Sequence, residues 1–385
     1  KDMALSILPH LLTKAAKKNN IKEEIVILTA TSGDTGKAAL AGFADVQGTR
    51  IVVFYPKDGV SPLQEKQMVT QKGDNTSVIG IRGNFDDAQT GVKKIFANTK
   101  LSDKMQKAGY RFSSANSINI GRLIPQIVYY VYAYVHLFKN KEISKDEQIN
   151  IVVPTGNFGN ILAAYYAKKI GIPINKLICA SNENKVLYDF FSTGVYDKNR
   201  EFYLTSSPSM DILVSSNLER LIYHVSGEDS EKTAQLMKSL QTKGSYEITE
   251  TMKENLNSFV GGWASVADTR ATINNVFKKH NYIIDTHTAV AAKVHNQYTM
   301  DTSDESKAII VSTASPYKFV ENVLDAIEVS SIPSNDYEQA KMLEKLTGVN
   351  VPMAVEELKD APVIHNKICE VMDMQVVVEE LLGIN

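Results

Sequence analysis

The chain has 385 residues, 43% of them apolar, and its 42 basic and 44 acidic side chains leave a formal net charge of -2. That length and composition call for two packed domains and exclude a disordered chain, while the near-neutral balance without a long basic run excludes an electrostatic footprint for nucleic acid or anionic membrane. Cys179 and Cys369 are too few and too far apart for a disulfide framework or a zinc site, and with no secretory signal or long apolar span the expected setting is a reducing cytoplasm and the expected partner a small molecule.

The first segment, KDMALSILPHLLTKAAKKNN, has apolar residues at 3, 4, 7, 8, 11, 12, 15 and 16, the spacing of one helix face. A packed helix that starts abruptly at Lys1 leads us to expect further chain upstream. EEIVILTAT then reads as a strand, and SGDTGKAALAGFADV as a tight loop turning into a helix. The pattern repeats as TRIVVFYP with SPLQEKQMVTQKG, NTSVIGI with NFDDAQTGVKKIFANTK, and YRFSSANS with IGRLIPQIVYYVYAYVHLFKN. Repeated βα units predict a parallel sheet flanked by helices. After the polar connector KNKEISKDEQ a second series begins with INIVVPTGNFGNILAAYYAKKIG and continues through KLICASN. Periodicity weakens from about residue 190 to 250, around TSSPSMDILVSSNLERL. SVADTRATINNVFKKHNY and HTAVAAKVHNQY then read as helices, KAIIVSTAS as a buried strand and YKFVENVLDAI as the helix behind it. From about residue 330 helices are expected to complete the larger domain.

Several stretches carry side chains suited to chemistry. In VVPTGNFGN, residues 152–160, a strand turns through two glycines into a helix, which exposes backbone N–H groups at a positive helix terminus and suits a phosphate. The same glycines also serve close packing, and the lysine-serine/threonine ending of a Walker A loop is absent. In TATSGDTGK, Ser32, Gly33 and Thr35 offer neutral donors to a carboxylate, whereas Ser32 or Asp34 also reads as a helix cap. SSANSINIGR gathers Asn116, Ser117, Asn119 and Arg122, whose guanidinium forks onto phosphate or carboxylate or simply lies in a first helical turn. Ser312 or Thr313 ends a strand, and His287 in DTHTAVAA reads as a capping or packing residue. Lys1, if desolvated, can form a Schiff base with a carbonyl.

Taken in order, KDMALS, TATSGDTG, VSPLQEKQM, GNFDDAQ, NSINIGRLIPQ, PTGNFGN and TASPYKF resemble the threonine synthase family of pyridoxal 5'-phosphate enzymes. The resemblance runs from the first residue into the last helices. It implies fold type II, the tryptophan-synthase-β type: an α/β protein of two open parallel-sheet domains with the cofactor in the interdomain cleft. It assigns 1–9 to a cofactor-lysine segment, 10–126 to a smaller substrate domain and 127–385 to a larger cofactor domain with the C-terminal helices, below a missing N-terminal segment. Lys1 becomes the cofactor-bearing lysine, held as an internal aldimine, and the proton shuttle. Thr155, Gly156, Asn157, Phe158, Gly159 and Asn160 hold the cofactor phosphate, and Thr313, or alternatively Ser312, faces the pyridine nitrogen. Asp34 lies at the cofactor's phenolic oxygen, where the wider fold type often has asparagine. Ser32, Gly33 and Thr35 take the substrate carboxylate, and Asn116, Ser117 and Arg122 its phosphate. No metal is implied.

The implied reaction is γ-elimination of phosphate from O-phospho-L-homoserine and β-addition of water to give L-threonine, by a monomer or dimer. A different lyase or β-replacement enzyme of the same fold type and a non-catalytic ligand-binding relative are the alternatives. Thr286 replaces the proline of the commoner DPHTAVA and is expected to loosen a turn.

Overall fold

Strands that are apolar at nearly every position need cover on both faces, and the central strands of both parallel sheets are built that way. The computed structural model describes residues 2–31 and 33–384, without the side chains of Asp34 and Asp86. Lys1 and Ser32, two of the expected site residues, lie outside the described residues. Contacts divide the chain into one unit of residues 1–125 with 352–385 and another of residues 126–351.

In chain order the strands are β1 (Glu24–Ala30), β2 (Thr49–Pro56), β3 (Thr76–Arg82), β4 (Tyr110–Ser114), β5 (Ile149–Pro154), β6 (Ile174–Ser181), β7 (Val195–Asp197), β8 (Ser245–Glu247), β9 (Phe259–Trp263), β10 (Ala308–Ile310) and β11 (Lys367–Glu370). The first seven helices are α1 (Asp2–Lys18), α2 (Asp34–Phe43), α3 (Pro62–Val69), α4 (Phe85–Ala97), α5 (Thr99–Lys107), α6 (Ile120–Lys139) and α7 (Gly159–Lys169).

The first unit holds a parallel sheet in the order β11-β3-β2-β1-β4. Its side chains sort by the two-residue period of a strand. Ile25, Ile27, Ile51, Val53 and Tyr55 join Leu5, Leu8, Leu40, Phe43 and Met68 of α1, α2 and α3. Val26, Leu28, Val52, Phe54, Ile79 and Ile81 join Val92 and Ile95 of α4, Met105 of α5, and Val377 and Val378 of the helix Met374–Leu382. Each such side chain contributes about 1.5–3 kcal/mol by burial.

The C-terminal segment departs from expectation. Residues 352–385 belong to the first unit, where β11 pairs with β3 from Lys367↔Ile79 to Glu370↔Arg82. Pairing partners so remote in the chain leave no local signal, and a four-residue strand has too few positions to show alternation.

The second unit holds a parallel sheet in the order β10-β5-β6-β9 and an antiparallel pair, β7 and β8. Val152, Ile178 and Ala180 of its central strands pack on Val290, Ala291 and Val294 of the helix Thr286–Thr302. β5 is buried throughout, whereas β10, expected as a buried strand, is a half-buried edge strand of three residues. No helix among the described residues is long and apolar enough to cross a membrane.

Gly42 sets the approach of α2 to α1: a Cβ there would lie 2.3 Å from the Leu5 carbonyl oxygen. In an open helix Gly→Ala gains about 1 kcal/mol, but here the added methyl meets backbone. We expect Gly42→Ala to lose about 1–3 kcal/mol net, read as a lower denaturation midpoint; a raised midpoint would refute this packing distance.

Candidate active site

The turn after β5 presents donors. Thr155 N–H continues the ladder to the Ala180 carbonyl at 2.9 Å and its hydroxyl donates to the Val153 carbonyl at 2.7 Å. Beyond it the backbone N–H groups of the five residues 156–160 donate to no protein group among the described residues. The carbonyls of the turn are occupied instead. Gly156 O accepts from Ser215 Oγ at 2.7 Å, Asn157 O accepts from Asn217 Nδ2 at 2.8 Å and from Asn217 N–H at 3.2 Å, and Asn160 O accepts from Tyr130 Oη at 3.1 Å. With carbonyls tied back and amides free at the head of the 11-residue α7, the turn is a neutral anion cradle that also draws on the helix dipole.

Its shape depends on two unusual backbones. Gly156 has no room for a side chain, because a Cβ would lie 2.7 Å from the Ser209 carbonyl oxygen and 3.3 Å from Met210 Cα. Phe158 adopts a left-handed conformation with φ of 63° that is uncommon for a bulky residue. Its ring is buried against Phe191 and Phe259, with centroids at 6.1 and 5.9 Å, and that packing holds the backbone there.

The segment 205–217 forms the outer wall of this turn. Asp211 anchors it: Oδ1 accepts from Asn182 Nδ2 at 2.7 Å, Asn184 Nδ2 at 3.0 Å and Thr205 Oγ1 at 2.8 Å, and Oδ2 accepts from Thr205 N–H at 2.9 Å. Ser209 N–H donates to His287 Nε2 at 3.2 Å. Ser209, Ser215, Asn217 and Asp211 were not among the expected site residues; the density of small hydroxyl and amide residues in TSSPSMDILVSSN was the available signal.

Near β10, Ser312 Oγ lies 3.2 Å from Thr288 Oγ1 and 3.4 Å from the Ala314 carbonyl, whereas half-buried Thr313 commits its hydroxyl to no protein group among the described residues. Thr288 Oγ1 in turn donates to Asp285 Oδ2. Asp285 caps the helix Thr286–Thr302, accepting from His287 N–H at 2.8 Å, so His287 itself is a buried residue of the first turn and not the cap. Thr286 is buried as the first helical residue, and the threonine in place of proline leaves this cap intact. Burial raises the Asp285 carboxyl, but hydrogen bonds from His287 and Thr288 outweigh it and hold the group below its usual range. Burial pushes the Cys179 thiol up to about 12 despite a hydrogen bond with Thr155, which leaves it protonated and unreactive.

In the first unit, the loop after β1 is closed on itself. Thr31 Oγ1 accepts from Gly33 N–H at 2.9 Å and from Gly36 N–H at 2.8 Å, which ties the loop to the first turn of α2; Ser32 and the Asp34 side chain, expected as caps, lie outside the described residues. Gly33, at φ of +121°, contributes a turn only glycine adopts readily, and its missing Cβ is where the Gln64 side chain sits, 2.5 Å away at Cδ. Gln64 also completes a capping box with Ser61 at the head of α3, which accounts for the SPLQ pattern. Half-buried Thr35 occupies the first turn of α2.

After β4, Asn116 Nδ2 donates to the Ala30 carbonyl at 3.0 Å, which ties the ends of β4 and β1 together. Asn119 Nδ2 donates to Ser114 O at 2.8 Å and its Oδ1 accepts from Gly121 N–H at 2.9 Å, so Asn119 is a structural residue. Arg122 is 6% exposed and donates through Nη1 to the Ala115 carbonyl at 3.1 Å. Ser117 is half-buried with its hydroxyl uncommitted among the described residues.

Comparison with known proteins follows the same lines. The chain is similar to threonine synthase-like 1 of Homo sapiens, 39% identical over 352 residues that cover 89% of this chain and 46% of that protein. It thus spans about half the length of the curated relatives of that name. It is 33% identical to the threonine synthase of Saccharomyces cerevisiae over 395 residues, covering 96% of this chain and 75% of that one. A crystal structure described as PLP-bound threonine synthase from Brucella melitensis matches with a TM-score of 0.81 and 32% identity, covering 99% of this chain and 74% of that one. The family profile described as "Threonine synthase, C-terminal" matches residues 288–368. On this evidence of sequence, fold and coverage, the chain belongs to the threonine synthase family.

Proposed function

We propose that the chain carries the cofactor- and substrate-binding core of a pyridoxal 5'-phosphate-dependent threonine synthase, which converts O-phospho-L-homoserine and water into L-threonine and phosphate. The observation that carries this reading is the run of uncommitted amides at 156–160, whose carbonyls are tied back and whose Gly156 lets the Ser209 backbone close on the turn. Those groups fit the phosphate of the cofactor. Bound pyridoxal phosphate supplies a conjugated electron sink for the electron pairs released at Cα and Cβ.

The chain's own residues supply the rest. Lys1 bears the cofactor, and its ε-amine, set beside the substrate, takes and returns protons at Cα and Cβ. The uncommitted Thr313 hydroxyl is the better partner for the pyridine nitrogen, because Ser312 already lies within reach of Thr288 and Ala314. Asp34 stands at the phenolic oxygen. Ser32, Gly33 and Thr35 receive the amino-acid carboxylate: with Gly33 N–H turned to Thr31, the hydroxyls are the donors and the glycine shapes the loop. Arg122 provides a guanidinium to the substrate phosphate, with Ser117 as a hydroxyl donor and Asn116 holding the loop in place. A second reading is favoured by the relatives at 39% identity, which carry the name threonine synthase-like 1. In it the chain binds cofactor and phosphohomoserine but completes no turnover.

Following threonine and phosphate together from phosphohomoserine separates the two readings: equal amounts of both support the first, and cofactor binding without threonine supports the second. Lys1→Ala should cost about 10²–10⁴-fold in rate and remove the visible absorbance of lysine-linked cofactor; a variant that keeps that absorbance would refute the assignment. Gly156→Ala should weaken pyridoxal phosphate binding by about tenfold to a hundredfold, the equivalent of an overpacked backbone contact, as read by titration of the apoprotein. Arg122→Ala should lower kcat/KM on the order of a hundredfold, and near-normal turnover by a folded variant would refute its role.

A further inference from the structure

The wall that closes the phosphate turn is held in place by a buried imidazole whose tautomer the surroundings dictate. His287 is 2% exposed, and its ring lies against Phe319 with centroids 4.8 Å apart. Nε2 faces the Ser209 N–H at 3.2 Å, a group that can only donate, so Nε2 must be the acceptor. Nδ1 faces Asp285 Oδ1 at 3.2 Å, an acceptor, so Nδ1 must carry the proton. The carbonyl of the same Ser209 is the atom that leaves no room for a side chain on Gly156.

We infer that Asp285 and His287 are positioning residues for the phosphate turn: the carboxylate fixes the Nδ1–H tautomer, Nε2 then captures the Ser209 N–H, and the Ser209 carbonyl is seated against Gly156. This inference rests on the turn being the cofactor-phosphate site. The dyad acts on the turn through the 205–217 wall. Asp285 extends the same control toward β10, because its second oxygen accepts from Thr288, whose hydroxyl lies 3.2 Å from Ser312. One buried carboxylate thereby ties together the phosphate turn and the strand end that carries Thr313.

His287→Phe set against His287→Gln is the discriminating pair. Phenylalanine fills the space of the ring but offers the Ser209 N–H no acceptor, whereas glutamine can place its carbonyl oxygen there, and neither change touches the carboxylate cap that Asp285 makes to backbone N–H groups. The readouts are the 15N shifts of selectively labelled histidine, with His287 assigned by His287→Gln, hydrogen exchange across 207–217, and the affinity for pyridoxal phosphate set against that for pyridoxal. In the wild-type apoprotein the nitrogen pattern should be that of the Nδ1–H form. In His287→Phe exchange across 207–217 should quicken, and pyridoxal phosphate should bind about tenfold more weakly with pyridoxal unchanged. His287→Gln should retain more of the phosphate preference. A wild-type Nε2–H pattern, unchanged exchange in His287→Phe, or Phe equal to Gln would overturn the inference. If the wild-type protein took up no pyridoxal phosphate, the cofactor reading would fail, while the tautomer and exchange measurements would still decide the dyad.

Discussion

Two backbones that pass with no room for a Cβ between them constrain everything around the phosphate turn. The space at Gly156 is closed by Ser209 and Met210, so the turn and its wall define one another's position. A chain that folds back this tightly buries carbonyls that need donors, and Ser215 and Asn217 supply them. The amides then have no internal acceptor and point outward, which is what an anion requires. The left-handed Phe158 costs about 1–3 kcal/mol, an amount that burial of its aromatic ring offsets. Strain and the proposed anion site thus meet at one residue, and the stabilising term comes from the core beneath it.

The two units resolve the same local problem in opposite senses. Thr31 and Thr155 each follow the first strand of a sheet and each continue the ladder, to Phe54 O at 3.0 Å and to Ala180 O at 2.9 Å. Thr31 then accepts two loop amides, whereas Thr155 turns its hydroxyl back to Val153 O and leaves the amides that follow uncommitted. In the proposed assignment the first loop serves a carboxylate through side-chain hydroxyls, and the second offers a row of peptide dipoles to a phosphate.

Much of this was legible in the sequence because it is local. The βα periodicity predicts the parallel sheets, and PTGNFGN marks the turn by Gly156, whose position its backbone needs. What escaped is what depends on remote partners. β11 pairs with β3 across nearly three hundred residues, and KICE alone gives no sign of it. Thr31 looked like part of the strand, since a sequence does not show that its hydroxyl turns to the Gly33 and Gly36 amides. Ser209, Ser215 and Asn217 sit in a stretch without periodicity, where only contact with the turn reveals their use. His287 reads correctly as a packing residue, yet the acceptor that it offers to Ser209 exists only once the helix Thr286–Thr302 is docked.

Strand order explains why the candidate residues fall where they do. In the second sheet the chain proceeds from β5 to β6 and β9 on one side and places β10 on the other, so the connections leaving β5 and β10 diverge. In the first, β1 leads to β2, β3 and β11 on one side and has β4 on the other. Open parallel sheets form a crevice at the carboxyl ends of the strands where this reversal occurs. The residues that follow those four strands are 155–160, 311–313, 31–36 and 115–122, the segments that hold every described candidate. Asn116 reaches from the end of β4 to Ala30 at the end of β1. Parallel connections that diverge leave a gap in backbone coverage, and in the first sheet a side-chain amide bridges it without filling it. The reversal supplies the opening, and side-chain links tie together the segments that border it.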